Sequence, residues 1–253
     1  MKENAPRAVR TRGTRTILSH NTDKRKLNLL QFGLNYIESF RLTLEVHQAT
    51  KISARKPPIY DRFAPYFDRA LAPLERWFLA GLRARACALL PTGANHILEI
   101  GAGTGLNFSY YSPATDLVAS ELSWAMLHLA RCKLRRPSHL HLVQNRAEEV
   151  PFRDATFDAC LATLVFCSVA NPMRAFTELR RVTKPGGSIV LLEHVRPNGL
   201  LGHAFDLLNV FTVALFEDHF NRRTCEEARR AGLEIIHVEH RCFGIFNLIL
   251  CCV

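Results

Sequence analysis

The stretch HILEIGAGTG, residues 96–105, decides the fold of this chain. Its first half, His96–Ile100, has the apolar composition of a buried strand, and three glycines at alternate positions follow directly. Glycines there let the backbone turn sharply and let a ligand approach the main chain closely. The sequence therefore predicts a strand, a tight turn and then a helix, with a ligand site at Gly101, Gly103 and Gly105.

Two carboxylates accompany this turn. Glu99 precedes it, and Glu121 stands 20 residues after Gly101, at the end of the next predicted strand. A dinucleotide would bring a pyrophosphate, which a nearby carboxylate repels, and Leu106 occupies the third glycine position of the dinucleotide pattern. S-adenosylmethionine (SAM) carries a sulfonium and an ammonium but no phosphate. We therefore expect Glu99 to suit this cation and Glu121 to accept hydrogen bonds from the ribose hydroxyls.

Strands and helices alternate after residue 59. Short links and regular alternation predict an α/β fold with a doubly wound, mostly parallel sheet over 59–253. Lys56-Pro57-Pro58 marks the boundary of a separate extension, 1–58. Strands are predicted at 96–100, 117–120, 140–144, 157–164, 188–194, 233–238 and 245–252, and helices over 68–90, 123–135, 171–182, 200–216 and 223–231.

The extension carries most of the charge. Residues 1–58 hold 12 Lys/Arg and 4 Asp/Glu, whereas the whole chain has a net charge of +10. Residues 1–25 lack an apolar period and are expected to be flexible, and 26–49 show the spacing of an amphipathic helix. The extension either stays solvated or contacts an anionic membrane surface or nucleic acid, and its helix either docks on the main domain or lies on a membrane.

Bulk features favour a cytoplasmic protein, peripheral at a membrane if the extension binds one. There is no uninterrupted apolar run of about 18 residues, so we expect no spanning helix. No apolar core follows the basic N-terminus, which argues against a secretory signal. The eight cysteines form no C-x-x-C pair, so they are expected to be reduced core residues, and no metal site is expected.

Four stretches resemble those of class I SAM-dependent methyltransferases. They are HILEIGAGTG (96–105), VASELSWAML (118–127), NRAEEVPFRDATFDA (145–159) and RRVTKPGGSIVLLEHV (180–195). The resemblance implies a seven-stranded Rossmann-like sheet in the order 3-2-1-4-5-7-6, with an antiparallel seventh strand and SAM as the cofactor. It implies cofactor contacts at Tyr60, Glu99, Gly101, Gly103, Gly105, Glu121, Leu122, Ala147, Glu148 and Thr163.

Within that class the chain looks like the UbiE-type group. The segment YDRFAPYFD (60–68) resembles the Y-D-x-x-A-x-x-Y-D segment of these enzymes and of bacterial phospholipid N-methyltransferases. The segments TLVFCSV (163–169), EHV (193–195) and DHFNR (218–222) resemble alkyl-thiol methyltransferases. These resemblances imply a small lipophilic acceptor: a phospholipid amine, a quinone precursor or a thiol.

Two positions depart from the pattern of that group. Arg146 stands where an acidic residue usually precedes the alanine of the adenine-side loop, and a guanidinium cannot accept a hydrogen bond from the adenine amino group. Phe67 replaces the second tyrosine of the leading segment, so a hydroxyl is absent there. Backbone groups near Ala147, or the side chain of Glu148, are expected to serve the adenine instead.

Candidate catalytic residues follow the later strands. Ligands in such sheets lie beyond the carboxyl ends of the strands, which makes His194 the first candidate for a base, with Asp218 and His219 second. Each of them also fits a structural role. A base is not always required, because a thiolate attacks unaided once it has lost its proton.

Other functions fit less well. Enzymes that methylate base amino groups carry an N-P-P-Y-like segment after the fourth strand, where this chain has TLVFCS, so a nucleic-acid acceptor is disfavoured. The glycine spacing and Glu99 disfavour an NAD-dependent dehydrogenase. A SAM-binding module without catalysis remains an alternative.

Overall fold

The computed structural model describes residues 59–195, 222–242 and 244–253. The chain divides into two compact units, Met1–Arg55 and Lys56–Val253, and the described residues belong to the second. The extension 1–58, the predicted helix over 200–216 and the candidates Asp218 and His219 lie outside the described residues.

A seven-stranded sheet forms the centre of the domain. Its order is β3-β2-β1-β4-β5-β7-β6, and β7 runs antiparallel to both of its neighbours, which confirms the predicted topology. The first five strands are parallel, helices pack on both faces of the sheet, and most residues of β1 and β4 are buried. The strands are β1 His96–Ile100, β2 Asp116–Glu121, β3 His139–Gln144, β4 Phe157–Thr163, β5 Thr183–His194, β6 Glu234–Arg241 and β7 Phe246–Cys252.

Two of the described helices begin where a side chain satisfies one of their first backbone donors. Ser123 accepts a hydrogen bond from the Met126 backbone N–H at the start of α3, and Asn171 accepts one from Arg174 at the start of α4. The described helices are α1 Ile59–Leu74, a π-helix Glu75–Leu79, α2 Ala80–Ala88, a short 3₁₀ helix Phe108–Tyr110, α3 Trp124–Arg131, α4 Pro172–Val182 and α5 Thr224–Arg230.

Two sequence predictions of helices are wrong in their extent. The glycine turn leads only into the 3₁₀ helix, because Gly105 takes a left-handed φ of +80° and Pro113 disfavours a helical residue before it. The first helix begins at Ile59 rather than at residue 68. Asp61 holds its first turns by accepting hydrogen bonds from α3, a tertiary contact that the local pattern does not contain.

All eight cysteines lie among the described residues, and none forms a disulfide. Cys160, Cys167 and Cys251 are buried, but Cys132 and Cys242 are exposed, so the expectation of core positions is wrong for those two. None of the helices within the described ranges is long and apolar enough to cross a bilayer.

Candidate functional site

A cavity of about 390 Å³ opens at the carboxyl ends of β1, β2, β4 and β5. Its wall has two chemically different ends. The glycine turn, Glu121 and the Asn145–Glu148 loop form a polar end. The residues from Leu164 to Ala170 that line the cavity form a mostly apolar one together with Phe246. This is the edge where ligands of doubly wound sheets bind.

The three glycines of the turn serve different purposes. All have positive φ: +66° at Gly101, +55° at Gly103 and +80° at Gly105. A Cβ atom at Gly101 would collide with Val165, and one at Gly105 would collide with the Phe108 ring. A Cβ atom at Gly103 would meet nothing within 4 Å, because this residue faces the cavity. Gly101 and Gly103 line the cavity, whereas Gly105 lies behind it and packs against Phe108.

Glu121 holds the turn and still faces the cavity. Its Oε2 atom accepts a hydrogen bond from the Gly103 N–H at 3.0 Å, and its Oε1 atom accepts one from the Ser123 N–H at 2.8 Å. Burial raises the pKa of this carboxyl group, and the backbone donors partly counter that rise. Since a carboxylate offers about four acceptor positions, these donors leave Glu121 able to accept a hydrogen bond from a hydroxyl group of a ligand.

Glu99 lies behind the cavity wall rather than in it. Its side chain is fully buried, and it accepts hydrogen bonds from Asn107 Nδ2 and Tyr111 Oη, each at 2.8 Å. Burial raises the pKa of this carboxyl to about 7, although both hydrogen bonds oppose the shift. Glu99 is therefore not among the residues that line the cavity, although the sequence predicts that it contacts the cofactor. The side chain fixes the loop after the turn through these two hydrogen bonds.

Sequence reasoning missed a buried arginine at this site. Arg83 of α2 lines the cavity, and its Nη1 atom donates to Thr163 Oγ1 at 2.9 Å and to Asn107 Oδ1 at 3.2 Å. Its Nε atom donates to Glu75 at 3.0 Å. Thr163, a predicted cofactor contact, lines the cavity. Nothing in the local pattern of α2 distinguishes Arg83 from an exposed arginine, so only the tertiary structure identifies it.

In the Asn145–Glu148 loop, where the adenine is expected to bind, the predicted contact Glu148 also has a structural role. Leu122, Ala147 and Glu148 all line the cavity. However, Glu148 Oε1 already accepts hydrogen bonds from the backbone N–H groups of Ala170 and Asn171, at 3.1 and 3.2 Å. Glu148 thereby ties this loop to the segment that follows β4.

The two aspartates of the YDRFAPYFD segment anchor α1 over the glycine turn. Asp68 accepts hydrogen bonds from Thr104 Oγ1 and, at 2.6 Å, from Lys133 Nζ. Asp61 accepts from the Ser123 hydroxyl at the start of α3. Tyr60, a predicted cofactor contact, lines the cavity, and so does Phe67. The two Tyr/Phe-Asp pairs are the sequence pattern that indicates this arrangement. In each pair the ring lines the cavity and the aspartate binds another part of the domain.

His194 ends β5 and lines the apolar end of the cavity. Its side chain is buried, and this burial lowers the pKa of the imidazole from its ordinary 6.5 to about 4. The location agrees with the prediction, but the pKa does not suit a base that works near neutral pH. The adjacent Glu193 holds the wall by accepting hydrogen bonds from the Val165 and Phe166 N–H groups, at 3.0 and 3.2 Å.

These residues fit SAM better than a phosphate-bearing cofactor. The open side of Gly103 admits a ligand against the backbone, and Glu121 offers acceptor positions to a ribose. Two carboxylates near the turn would repel a pyrophosphate and favour a cation. Within the described ranges, no group of three His, Cys, Asp or Glu residues is placed to hold a metal ion.

Comparison with known proteins gives the same class. Residues 98–191 match the family described as Methyltransferase domain. The chain is 31% identical over 145 residues to a demethylmenaquinone methyltransferase of Clavibacter sepedonicus, which covers 55% of this chain and 58% of that protein. It is 33% identical over 115 residues to a phosphatidylethanolamine N-methyltransferase of Cereibacter sphaeroides (44% and 57%). It is 29% identical over 163 residues to the human thiol S-methyltransferase TMT1B (61% and 66%).

The chain thus spans less than two thirds of the length of these curated relatives. A solved SAM-dependent methyltransferase from Thermotoga maritima shares the fold, with a TM-score of 0.60 and 23% identity over 77% of this chain and 98% of that one. Residues 98–191 thus lie in a methyltransferase domain, and the described residues have the fold of a solved SAM-dependent methyltransferase.

Proposed function

We propose that this protein transfers a methyl group from SAM to a small lipophilic acceptor, as a member of the UbiE-type group. The observation that carries the proposal is the division of one cavity into a polar end at the glycine turn and an apolar end beside His194. SAM supplies an electrophilic methyl group on its sulfonium for an in-line displacement. The protein's part is to bind, align and exclude water.

The polar end binds the cofactor in this proposal. Gly103 lets the cofactor approach the backbone, and Glu121 accepts hydrogen bonds from its ribose. Leu122 and Ala147 provide apolar contacts for its adenine ring. Glu99 favours the positive charge from beneath the turn when it is ionised. Thr163, fixed by Arg83 and Asn107, stands between this end and the acceptor end.

The acceptor end favours a nucleophile that loses its own proton. His194 is held neutral by burial and is a weak base, because the pKa of its imidazole is about 4. An ammonium acceptor would need stronger base catalysis than this histidine gives, whereas a thiol with an ordinary pKa of about 8.5 is partly ionised near neutral pH. Of the three acceptor classes on which the relatives act by name, we therefore expect a lipophilic thiol to react fastest.

A panel of acceptors with methyl-labelled SAM tests this proposal. The panel contains an alkyl thiol, phosphatidylethanolamine vesicles, a demethylated quinol and a single-stranded oligonucleotide, with Gly103→Arg as the variant without cofactor. We expect label in the thiol, at a rate that rises with pH as the thiol ionises. Label in the oligonucleotide alone, or none in any acceptor despite intact SAM binding, would contradict methyl transfer to a small lipophilic molecule.

We propose in addition that the basic extension 1–58 contacts anionic membrane surfaces. Its 12 Lys/Arg against 4 Asp/Glu support this, since polybasic segments are attracted to such surfaces. Deleting residues 1–56 is expected to spare SAM binding, because the described cavity lies wholly in the other unit, and to weaken binding to anionic vesicles. Equal vesicle binding by both forms would remove this role from the extension.

A further inference from the structure

The outer side of α1 and the π-helix carries an exposed apolar stripe. Tyr66, Ala70, Leu74 and Trp77 follow at intervals of four, four and three residues, so they share one side of the helical cylinder. Tyr66 is 67% exposed, Leu74 47% and Trp77 82%. These four residues, here named the outer stripe, extend over about 16 Å at the helical rise of about 1.5 Å per residue.

A row of arginines runs beside the outer stripe. Arg62, Arg69 and Arg76 follow at seven-residue intervals and are all exposed. The Arg76 Cζ atom lies 5.6 Å from the centroid of the Trp77 ring. The row is therefore continuous along the same side of the helix as the stripe.

The carboxylates of this segment are directed into the domain. Asp61 accepts a hydrogen bond from Ser123, Asp68 binds Thr104 and Lys133, and Glu75 pairs with Arg83. Three acidic and three basic residues thus alternate along residues 61–76, yet the outward side of the segment is positive. The acidic residues thus pair within the domain, and the arginines lie on the outward side.

The composition of this side suits the surface of an anionic bilayer. Tyr and Trp have apolar bodies with one polar group, and they favour the boundary between water and hydrocarbon. Arginines keep their heads at the phosphates while their stems lie along apolar surface. An interfacial helix combines these features, with its apolar face a few ångströms below the headgroups.

The opposite side of the same helix lines the cavity. Tyr60, Phe67 and Leu71 face the cavity, and Leu74 belongs both to the cavity wall and to the outer stripe. A membrane that binds the outer stripe would therefore lie next to the wall of the cavity.

We propose that the outer stripe and its three arginines dock on an anionic membrane surface. This surface differs from the basic extension, and the proposal holds for any methyl acceptor. The partner is lipid, because the row of arginines complements anionic headgroups and the outer stripe complements the boundary between water and hydrocarbon.

Fluorescence of Trp77 in the full chain tests this contact directly. The chain has two tryptophans, so Trp124→Phe leaves Trp77 as the reporter. In buffer we expect emission typical of an exposed indole and strong quenching by acrylamide. Vesicles of phosphatidylcholine with phosphatidylserine should shift the emission to the blue and protect it from acrylamide. Vesicle binding without any change at Trp77 would overturn the proposal.

Two variants separate the apolar and the electrostatic contributions to vesicle binding. Tyr66→Ser with Trp77→Ser should weaken vesicle binding tenfold or more, with Ile236→Ser, an exposed apolar residue on β6, as the control. Arg62→Gln, Arg69→Gln and Arg76→Gln together should abolish the preference for phosphatidylserine. The control removes three exposed arginines elsewhere: Arg135→Gln, Arg153→Gln and Arg180→Gln. SAM affinity, measured by calorimetry, must stay unchanged in all four proteins, which separates loss of docking from loss of fold or of cofactor binding.

Other occupants of the outer stripe give different results, and each of them overturns the proposal. Emission from Trp77 that is already blue and protected in buffer would mean that another segment of this chain or a second copy covers the stripe. Sedimentation would then show whether Tyr66→Ser with Trp77→Ser dissociates a dimer. Binding of a single-stranded oligonucleotide that depends on the same two residues, without vesicle binding, would assign the surface to nucleic acid.

Discussion

The two ends of the cavity are built on opposite principles. At the glycine turn, backbone N–H groups and the Glu121 carboxylate are in direct hydrogen-bond contact, and a side chain at Gly103 would project into open space. At the other end, apolar side chains surround His194, whose pKa falls because its surroundings exclude water. The polar end specifies its ligand through contacts. The apolar end selects an acceptor only by its size and by the exclusion of water. It therefore constrains the acceptor much less than the polar end constrains the cofactor.

The largest expected effect comes from filling the polar end. Gly103→Arg places a long side chain in the cavity and forces a non-glycine residue to a φ of +55°. We expect SAM affinity to fall by about 100-fold or more, since the ligand's space is occupied and the backbone is strained. Calorimetry with SAM measures the loss.

Gly93→Arg is the matched control for that variant, because Gly93 is exposed before β1 and a Cβ atom there meets nothing within 4 Å. It should bind SAM normally. Normal SAM affinity in Gly103→Arg would instead show that the cofactor does not approach this turn.

A smaller loss is expected at Glu121. Glu121→Gln leaves one carbonyl oxygen and places an NH₂ group against a backbone N–H donor, either of Gly103 or of Ser123. Removing a charged acceptor of this kind costs about 2 kcal/mol, or roughly 30-fold in affinity. The affinity for S-adenosylhomocysteine provides the measurement.

Glu149→Gln makes the same chemical change at an exposed glutamate that pairs only with Arg174 among the described residues, and it should leave affinity unchanged. An equal loss in both variants would mean that the Glu121 contact is not specific. No loss in either would place the ribose elsewhere.

The smallest effect should appear at the apolar end, as a change in stability with pH. The folded pKa of His194 is about 4, below its ordinary 6.5, so between these values the unfolded chain binds a proton at this residue that the folded chain does not. The contribution of His194 to the free energy of unfolding is therefore present at neutral pH and is lost as the pH falls toward 4. The contribution between pH 7.5 and pH 5 is about 2 kcal/mol.

Urea unfolding at the two pH values checks this contribution. His194→Gln should reduce the difference in unfolding free energy between pH 7.5 and pH 5, whereas His128→Gln, at an exposed position on α3, should keep it. Equal pH dependence in wild type and His194→Gln would show that water reaches this end of the cavity.

The sheet order was implied by the resemblance to class I SAM-dependent methyltransferases. The strands themselves, the turn and the position of Glu121 were determined by the sequence alone. These features follow from local patterns: apolar strands, glycines where φ is positive, and a carboxylate at the end of the next strand. They predict contacts reliably because neighbouring parallel strands deliver their carboxyl ends to one edge.

Only the tertiary structure decided what each polar side chain near that edge does. Glu99 and Glu121 both looked like ligands of a cation, but packing turned Glu99 toward Asn107 and Tyr111. Arg83 comes to the cavity from a helix that precedes β1, and the burial of His194 changes its pKa. Such outcomes depend on burial and on partners far apart in the chain, and a local sequence pattern contains neither.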